Sequence, residues 1–364
     1  MTVQTICKLM EDVAPLALQE SYDNAGLLIG SAQMKVSGIL LCIDVTEEII
    51  DEAILKNCNL IISHHPLIFS ALKCLTGQNE TQRCIVKAIK NELAIYSAHT
   101  NIDNVLHGVN GKIAEKIGLT NVRILHPKQN ILLKLVTFVP SECAEKVRST
   151  LFEVGAGHIG NYDSCSYNTE GFGTFCAGNQ ANPFVGNRGE IHTEPETRIE
   201  VIFPEYKKNS VLNALLKSHP YEEPAFDLIP LKNTWNEVGA GVVGELQEAE
   251  NEECFLLRLK KIFGLQMIRH TNFLDKKIKR VAICGGAGSS FLSSALREKA
   301  DVFVSGDFKY HEFFGAENKI LIADIGHYES EQFTKEIFYE IITKKLPTFA
   351  IQISGIKTNP INYL

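Results

Sequence analysis

GILLCIDVTEEIIDEAILKNCNLIISHHP, residues 38–66, runs through a short apolar strand, a helix and a second apolar strand that stops at two adjacent histidines. Working outward, a helix near QRCIVKAIKNEL and the short strand AIYSAHT follow. Short apolar strands alternating with helices predict an α/β layer architecture. From residue 233 onward the same grammar returns: KRVAICGG as strand, SSFLSSALREK as helix, DVFVSGD and KILIADIG as strands, and SEQFTKEIFYEIITKK as one long closing helix.

These stretches are faintly alike. Residues 42–64 and 284–307 each run strand, turn, helix, strand, and each second strand ends in Ser followed by residues of metal-ligand type, SHH in one and SGD in the other. Two related α/β halves, residues 1–127 and 233–364, would bring their strand ends together into a cleft. Residues 128–232 read differently. LLKLVTFVP, CAEKVRSTLFEV and NYDSCSYNTEG form one strand–helix–strand unit, and TRIEVIFP, KNSVLNALLKS and AFDLIPL form another. Two such units in succession predict an inserted ferredoxin-like α+β domain, with CAGNQANPFVGNRGE as the long loop joining its halves.

Composition narrows the function classes. At 364 residues and 45% hydrophobic content, the chain is long and apolar enough for at least two cores. The opening MTVQTICKLMEDVAPLALQE lacks a basic leader region, and its Ile6, Leu9, Met10 and Val13 recur at helical spacing, so an amphipathic first helix is expected. No run approaches the roughly 18 apolar residues of a membrane span. Ten cysteines without a CxxC pair, several inside apolar runs, read as reduced core thiols and argue against disulfides or a zinc-thiolate site. A cytoplasmic protein with no membrane association is the expectation. A net charge of -7 disfavours nucleic acid as a partner.

The chemistry concentrates at strand ends. His64-His65-Pro66 follows the buried strand NLIIS, where α/β sheets place their ligands. Adjacent residues on extended backbone point to opposite sides, so two histidines suit two neighbouring metal ions; two surface histidines in a loop is the alternative. HTNIDN carries His99 and Asp103 after AIYSA: Asp103 offers a hard oxygen ligand, His99 a proton carrier or supporting partner. An Asx-type turn capping a helix at 110–117 explains the same residues. In GHYESE, His327 and Glu331 stand four apart and share a helix face if that turn is helical, although acids at a helix N-terminus are favourable without any metal. VSGDFKYHE presents Asp307, Lys309 and His311 as substrate-facing candidates, or as a solvated loop. ICGGAGSS matches neither GxGxxG nor the P-loop. No GxSxG elbow offers a serine nucleophile, which leaves a metal-activated water.

Six ordered motifs, SYDNAGLLIG, CIDVTEEIIDEAI, SHHPLIF, AHTNIDN, SGDFKYHEF and DIGHYESE, together resemble the NIF-three family, whose members also carry the name GTP cyclohydrolase I type 2. The resemblance covers nearly the whole chain, and the insert, with HPYEEPAFDLIPL, looks like that of a longer bacterial subtype related to PII and CutA proteins. It implies a dinuclear centre held by His64, His65, Asp103, His327 and Glu331, and a homohexameric ring with the sites facing inward. The donor set of three histidines and two carboxylates fits two divalent ions, zinc foremost, with manganese, iron or cobalt also compatible. The family name implies conversion of GTP to 7,8-dihydroneopterin triphosphate and formate. His99 or His311 would carry protons and Lys309 would hold a phosphate. Hydrolysis of another nucleotide or phosphoester, or a non-catalytic metal-dependent regulator, stand as the alternatives.

Overall fold

In the computed structural model, which describes every residue from Met1 to Leu364, the apolar runs become strands buried along their whole length: Ile39–Cys42, Leu60–Ser63, Ala94–Ser97, Val302–Gly306 and Leu321–Asp324. Burial on both faces is what parallel strands covered by helices require, and it explains why these runs do not alternate. Ile39, Leu41, Leu60 and Ile62 have no exposed surface. Each such side chain contributes about 1.5–3 kcal/mol on leaving water.

The fold is a mixed α/β arrangement with three sheets. The chain divides into two compact units, Met1–His126 with Glu237–Leu364, and Pro127–Asn236. The latter starts one position before and ends four after the 128–232 interval read from the sequence.

The first unit holds two sheets. One is ordered Gly26–Ile29, Ala94–Ser97, Leu60–Ser63, Ile39–Cys42, Ile351–Ile353; only its first strand runs antiparallel to its neighbour. The other is ordered Arg269–His270, Leu321–Asp324, Val302–Gly306, Lys277–Ala287, Thr234–Asn251, Thr120–Gln129, with its three consecutive strands from Leu321–Asp324 to Lys277–Ala287 parallel. Side chains from both sheets and from the helices Val3–Val13, Val109–Ile117, Glu252–Phe263 and Thr334–Lys345 share one core. The parallel registers Cys42↔Ser63 and Ser63↔Ser97 align three strand ends in one row, where the chemistry gathers.

The closing helix expected as one piece is two, His327–Glu331 and Thr334–Lys345. The Thr334 hydroxyl donates to the Glu331 carbonyl at 2.7 Å, offering that carbonyl a side-chain partner in place of the helical one. The strands Gly26–Ile29 and Ile351–Ile353, only four and three residues long, and the helix Glu252–Phe263 are not among the elements expected from the sequence.

The second unit is a four-stranded antiparallel sheet ordered Tyr167–Cys176, Ile191–Pro204, Leu132–Pro140, Phe226–Leu231. Helices Ala144–Glu153 and Lys208–Ser218 pack on it, with Leu135, Val147, Leu151, Val201, Val211 and Leu215 as core.

Candidate metal centre

His64 and His65 follow directly on the strand Leu60–Ser63, and their backbone N–H groups donate to Ile43 O at 3.1 and 2.9 Å, which carries the neighbouring strand's pairing into the site. Asp103 closes the short helix Thr100–Asp103, just beyond the strand Ala94–Ser97. His327 and Glu331 lie on the helix His327–Glu331 after the strand Leu321–Asp324, one turn apart, with Nε2 and Oε2 at 3.2 Å. The structure therefore brings together residues from two sheets, with His65 and His327 Nε2 3.2 Å apart.

Two triads share Glu331: His65, His327 and Glu331, and His64, Asp103 and Glu331, each with ligand atoms within 4.8 Å of one another. Glu331 Oε2 is 3.0 Å from His65 Nε2 and 3.5 Å from His64 Nε2, while His64 Nε2 is 3.8 Å from Asp103 Oδ1. His64 Nε2, Asp103 Oδ1 and Glu331 Oε2 are buried without any hydrogen-bond partner. A buried polar atom left unsatisfied costs about 1–3 kcal/mol, so three converging on one spot call for a cation.

Every histidine of the cluster is held from behind. His64 Nδ1 donates to Ala98 O at 3.0 Å, His65 Nδ1 to Asp44 Oδ1 at 2.7 Å, His327 Nδ1 to Asp307 Oδ2 at 2.8 Å and His99 Nδ1 to Asp23 Oδ1 at 2.8 Å. With Nδ1 held as a donor, each Nε2 faces inward, where it can ligate a metal ion once its proton has left, the arrangement that metal-ligating histidines adopt. His99 also forms a triad with His64 and His65.

The charges follow from this crowding. Burial alone would lower His65, but the carboxylates of Asp44 and Glu331 beside it outweigh that and raise it to about 10. Burial likewise opposes His327, which the carboxylates of Glu331 and Asp307 raise to about 9. Burial and the neighbouring Glu331 charge push Asp103 well above the usual carboxylate range. Burial works against Glu331 too, but the histidines around it hold it well below that range. The cluster thus carries a deficit of positive charge that is met by protons or by metal.

Space for the shared carboxylate comes from Gly286. Its φ of +62° suits glycine, and a Cβ there would lie 2.3 Å from Glu331 Oε1. The cluster opens into a cavity of about 740 Å³ walled also by Tyr22, Phe69 and Phe291. No lysine or arginine lines it.

Of the residues proposed from sequence to face a substrate, His99 lines this cavity and Asp307 stands behind His327. Lys309 and His311 do not line it: the Lys309 backbone N–H donates to Glu312, and the His311 ring sits against Tyr310 and Phe314. Asp44 and Asp23 were missed. The signal for Asp44 was its place at the end of ILLCI, a strand parallel to the one that carries the histidines.

Fold and site define an α/β protein whose parallel strand ends present a buried histidine–carboxylate cluster able to hold metal. The chain belongs to the Duf34/NIF3 (NGG1p interacting factor 3) family, whose pattern matches residues 1–360. It is 39% identical over 366 residues to a protein of Halalkalibacterium halodurans named GTP cyclohydrolase 1 type 2 homolog, covering 99% of this chain and 98% of the relative. A Bacillus subtilis protein of the same name is 38% identical over 371 residues, covering 99% of this chain and 98% of the relative. The crystal structure of a Bacillus cereus protein related to NIF3 superposes with a TM-score of 0.86 at 37% identity, covering 100% of this chain and 99% of that one. No helix is long and apolar enough to cross a membrane.

Proposed function

We propose that this protein is a dinuclear metal-dependent hydrolase. His65, His327 and Glu331 would hold one divalent ion and His64, Asp103 and Glu331 the other, with zinc the expected metal and manganese, iron or cobalt compatible with the same donors. The observation that carries this reading is the convergence of three buried, unpartnered ligand atoms from His64, Asp103 and Glu331. When bound, two such ions lower the pKa of a water and polarise the bond it attacks. His99, fixed by Asp23 and lining the cavity, would move the proton. Phe69, whose ring meets His99 edge-on with centroids 5.6 Å apart, narrows the water access there. Asp44 and Asp307 hold His65 and His327 in place.

On substrate, the names of the relatives support a GTP cyclohydrolase type of reaction: opening of the purine imidazole ring, with release of formate and 7,8-dihydroneopterin triphosphate. A second reading, hydrolysis of another nucleotide or phosphoester that carries fewer charges than a triphosphate, is favoured by the cavity wall. A triphosphate needs cations, and this wall offers Glu20, Asp44 and Asp103 but no Lys or Arg. Lys309 and His311, placed outside the wall, have no part in this mechanism. A non-catalytic, metal-dependent regulator is the remaining reading, supported by a separate second unit that resembles PII and CutA proteins in its ferredoxin-like strand order. We read residues 1–127 and 233–364 as the related halves, each supplying most of one sheet and an edge strand of the other, and the assembly as a homohexameric ring in the cytoplasm.

The test is release of formate and of inorganic phosphate by metal-reconstituted protein from GTP, GMP and p-nitrophenyl phosphate, with His65→Ala and Glu331→Ala as controls. Formate release from GTP, lost in both variants, supports the cyclohydrolase reading. Phosphate release without formate supports the second. Two metals per chain with no turnover of any of the three leaves regulation.

A further inference from the structure

Within Pro127–Asn236 lies a cavity of about 690 Å³ that the chemistry above does not use. Its wall combines aromatic rings with carboxylates. The Phe175 and Tyr221 rings meet at 5.9 Å between centroids and 62°, and Phe184 meets Tyr221 at 6.5 Å and 53°. Phe172 is 78% exposed and Phe184 50%, so apolar ring surface is left facing water at one concave spot.

Four carboxylates line the same cavity: Glu170, Glu196, Glu222 and Glu223. Those of known partner are bonded to neutral donors, which satisfy oxygens without cancelling charge. Glu170 accepts from the Thr197 and Ser141 hydroxyls at 3.0 and 2.9 Å, and Glu222 from the Asn182 backbone N–H at 2.8 Å. Glu196 is only 8% exposed; its Oε1 accepts from the Tyr221 hydroxyl at 2.9 Å. Gly173, on the strand paired with that of Glu196, makes room for the other oxygen: a Cβ there would fall 2.1 Å from Glu196 Oε2. The one cation of the wall, Arg198, shares Glu200 with Lys134 and lies 5.9 Å from the Phe138 ring centroid, so a single positive charge stands against the four carboxylates.

The wall therefore excludes anions, and it does not suit a bare metal ion: the three-ligand clusters of this chain all lie among His64, His65, His99, Asp103, His327 and Glu331. Excess carboxylate beside open aromatic faces is how proteins bind organic cations, by ion pairing and cation–π attraction together. We infer that the cavity of this second unit is a binding site for a small organic cation, an ammonium group carried on an apolar or aromatic frame, with Glu196 and Tyr221 at its polar end and Phe172 and Phe184 at its rim.

The experiment uses the full-length, metal-loaded protein and three probes of matched shape, phenethylamine, 2-phenylethanol and 3-phenylpropionate, followed by saturation-transfer NMR. The amine should bind at least tenfold more tightly than the alcohol, with no binding of the acid. Phe184→Ala and Glu223→Gln, both at accessible positions, should each weaken the amine severalfold, and Glu196→Gln more strongly. Equal binding of amine and alcohol overturns the proposal, because the cavity is then only an apolar patch. So do amine binding untouched by all three variants, competition of the amine by a divalent metal ion, and self-association that buries Phe172 and Phe184 in a protein that binds none of the probes.

Discussion

Replacing Asp44 by alanine should weaken one divalent-ion position and spare the other. Asp44 Oδ1 accepts the His65 Nδ1 proton at 2.7 Å, and it is this bond that fixes the His65 ring and aims its Nε2 at Glu331. Without it the ring gains both rotational freedom and a free choice of tautomer. Loss of such a supporting carboxylate typically costs ~10–100-fold in metal affinity, or about 1.4–2.7 kcal/mol. His64 is held by Ala98 O and does not depend on Asp44, so the position formed by His64, Asp103 and Glu331 should keep its affinity to within about threefold. Stepwise titration of the metal-free protein with cobalt against a competing chelator resolves the two events. One weakened and one preserved step is the expected result. Two equally weakened steps, or none, would falsify the division of the cluster into two triads sharing Glu331.

Glu331→Gln removes the shared charge and should reduce bound metal from two ions to one or none, read by elemental analysis after gel filtration; two retained ions would show that Glu331 is not shared. Gly286→Ala places a methyl 2.3 Å from Glu331 Oε1 at a φ of +62°, and should cost about 1–3 kcal/mol of stability together with metal, so an unchanged melting temperature contradicts the packing described. In metal-free protein the raised His65 and His327 stabilise the fold fully below their unfolded value near 6.5, and that contribution should disappear as pH climbs through about 9 and about 10. Metal binding at pH 7 should accordingly release protons, seen as a buffer-dependent calorimetric enthalpy; no buffer dependence would count against protonated histidines in the apo site.

What could be read from the sequence was whatever one strand or one turn of helix specifies by itself. The runs ILLC, LIIS, AIYS and LIAD declare themselves because burial on both faces removes polar residues from them. His64-His65 and the i, i+4 pair His327 and Glu331 are local patterns too, and the fold brings them to one place. Asp44 is different: it stands beside His65 only because the parallel register sets Cys42 against Ser63, a relation between strands. Asp23 reaches His99 across 76 positions, again a relation between distant segments. Lys309 and His311, expected to face a substrate, do not line the cavity, and the chain turns just before them at Asp307, where φ is +56°. That turn aims the Asp307 carboxylate at His327, buries Phe308 beside the sheet and directs Tyr310–Ala316 into a 3-10 segment away from the cleft.

His65 and His327 meet across 262 positions of sequence, and that separation bears on how the protein is made. A ribosome delivers the first histidines long before Glu331 exists, so during most of synthesis the nascent chain exposes a pair of imidazoles with no carboxylate to complete them. Contacts so distant form late and slowly. Any loosely held copper or nickel ion met in that interval finds two good nitrogen donors and no geometric selection. For the proposed centre, correct loading would be a matter of timing as well as affinity, with geometric selection beginning only once the helix His327–Glu331 has arrived.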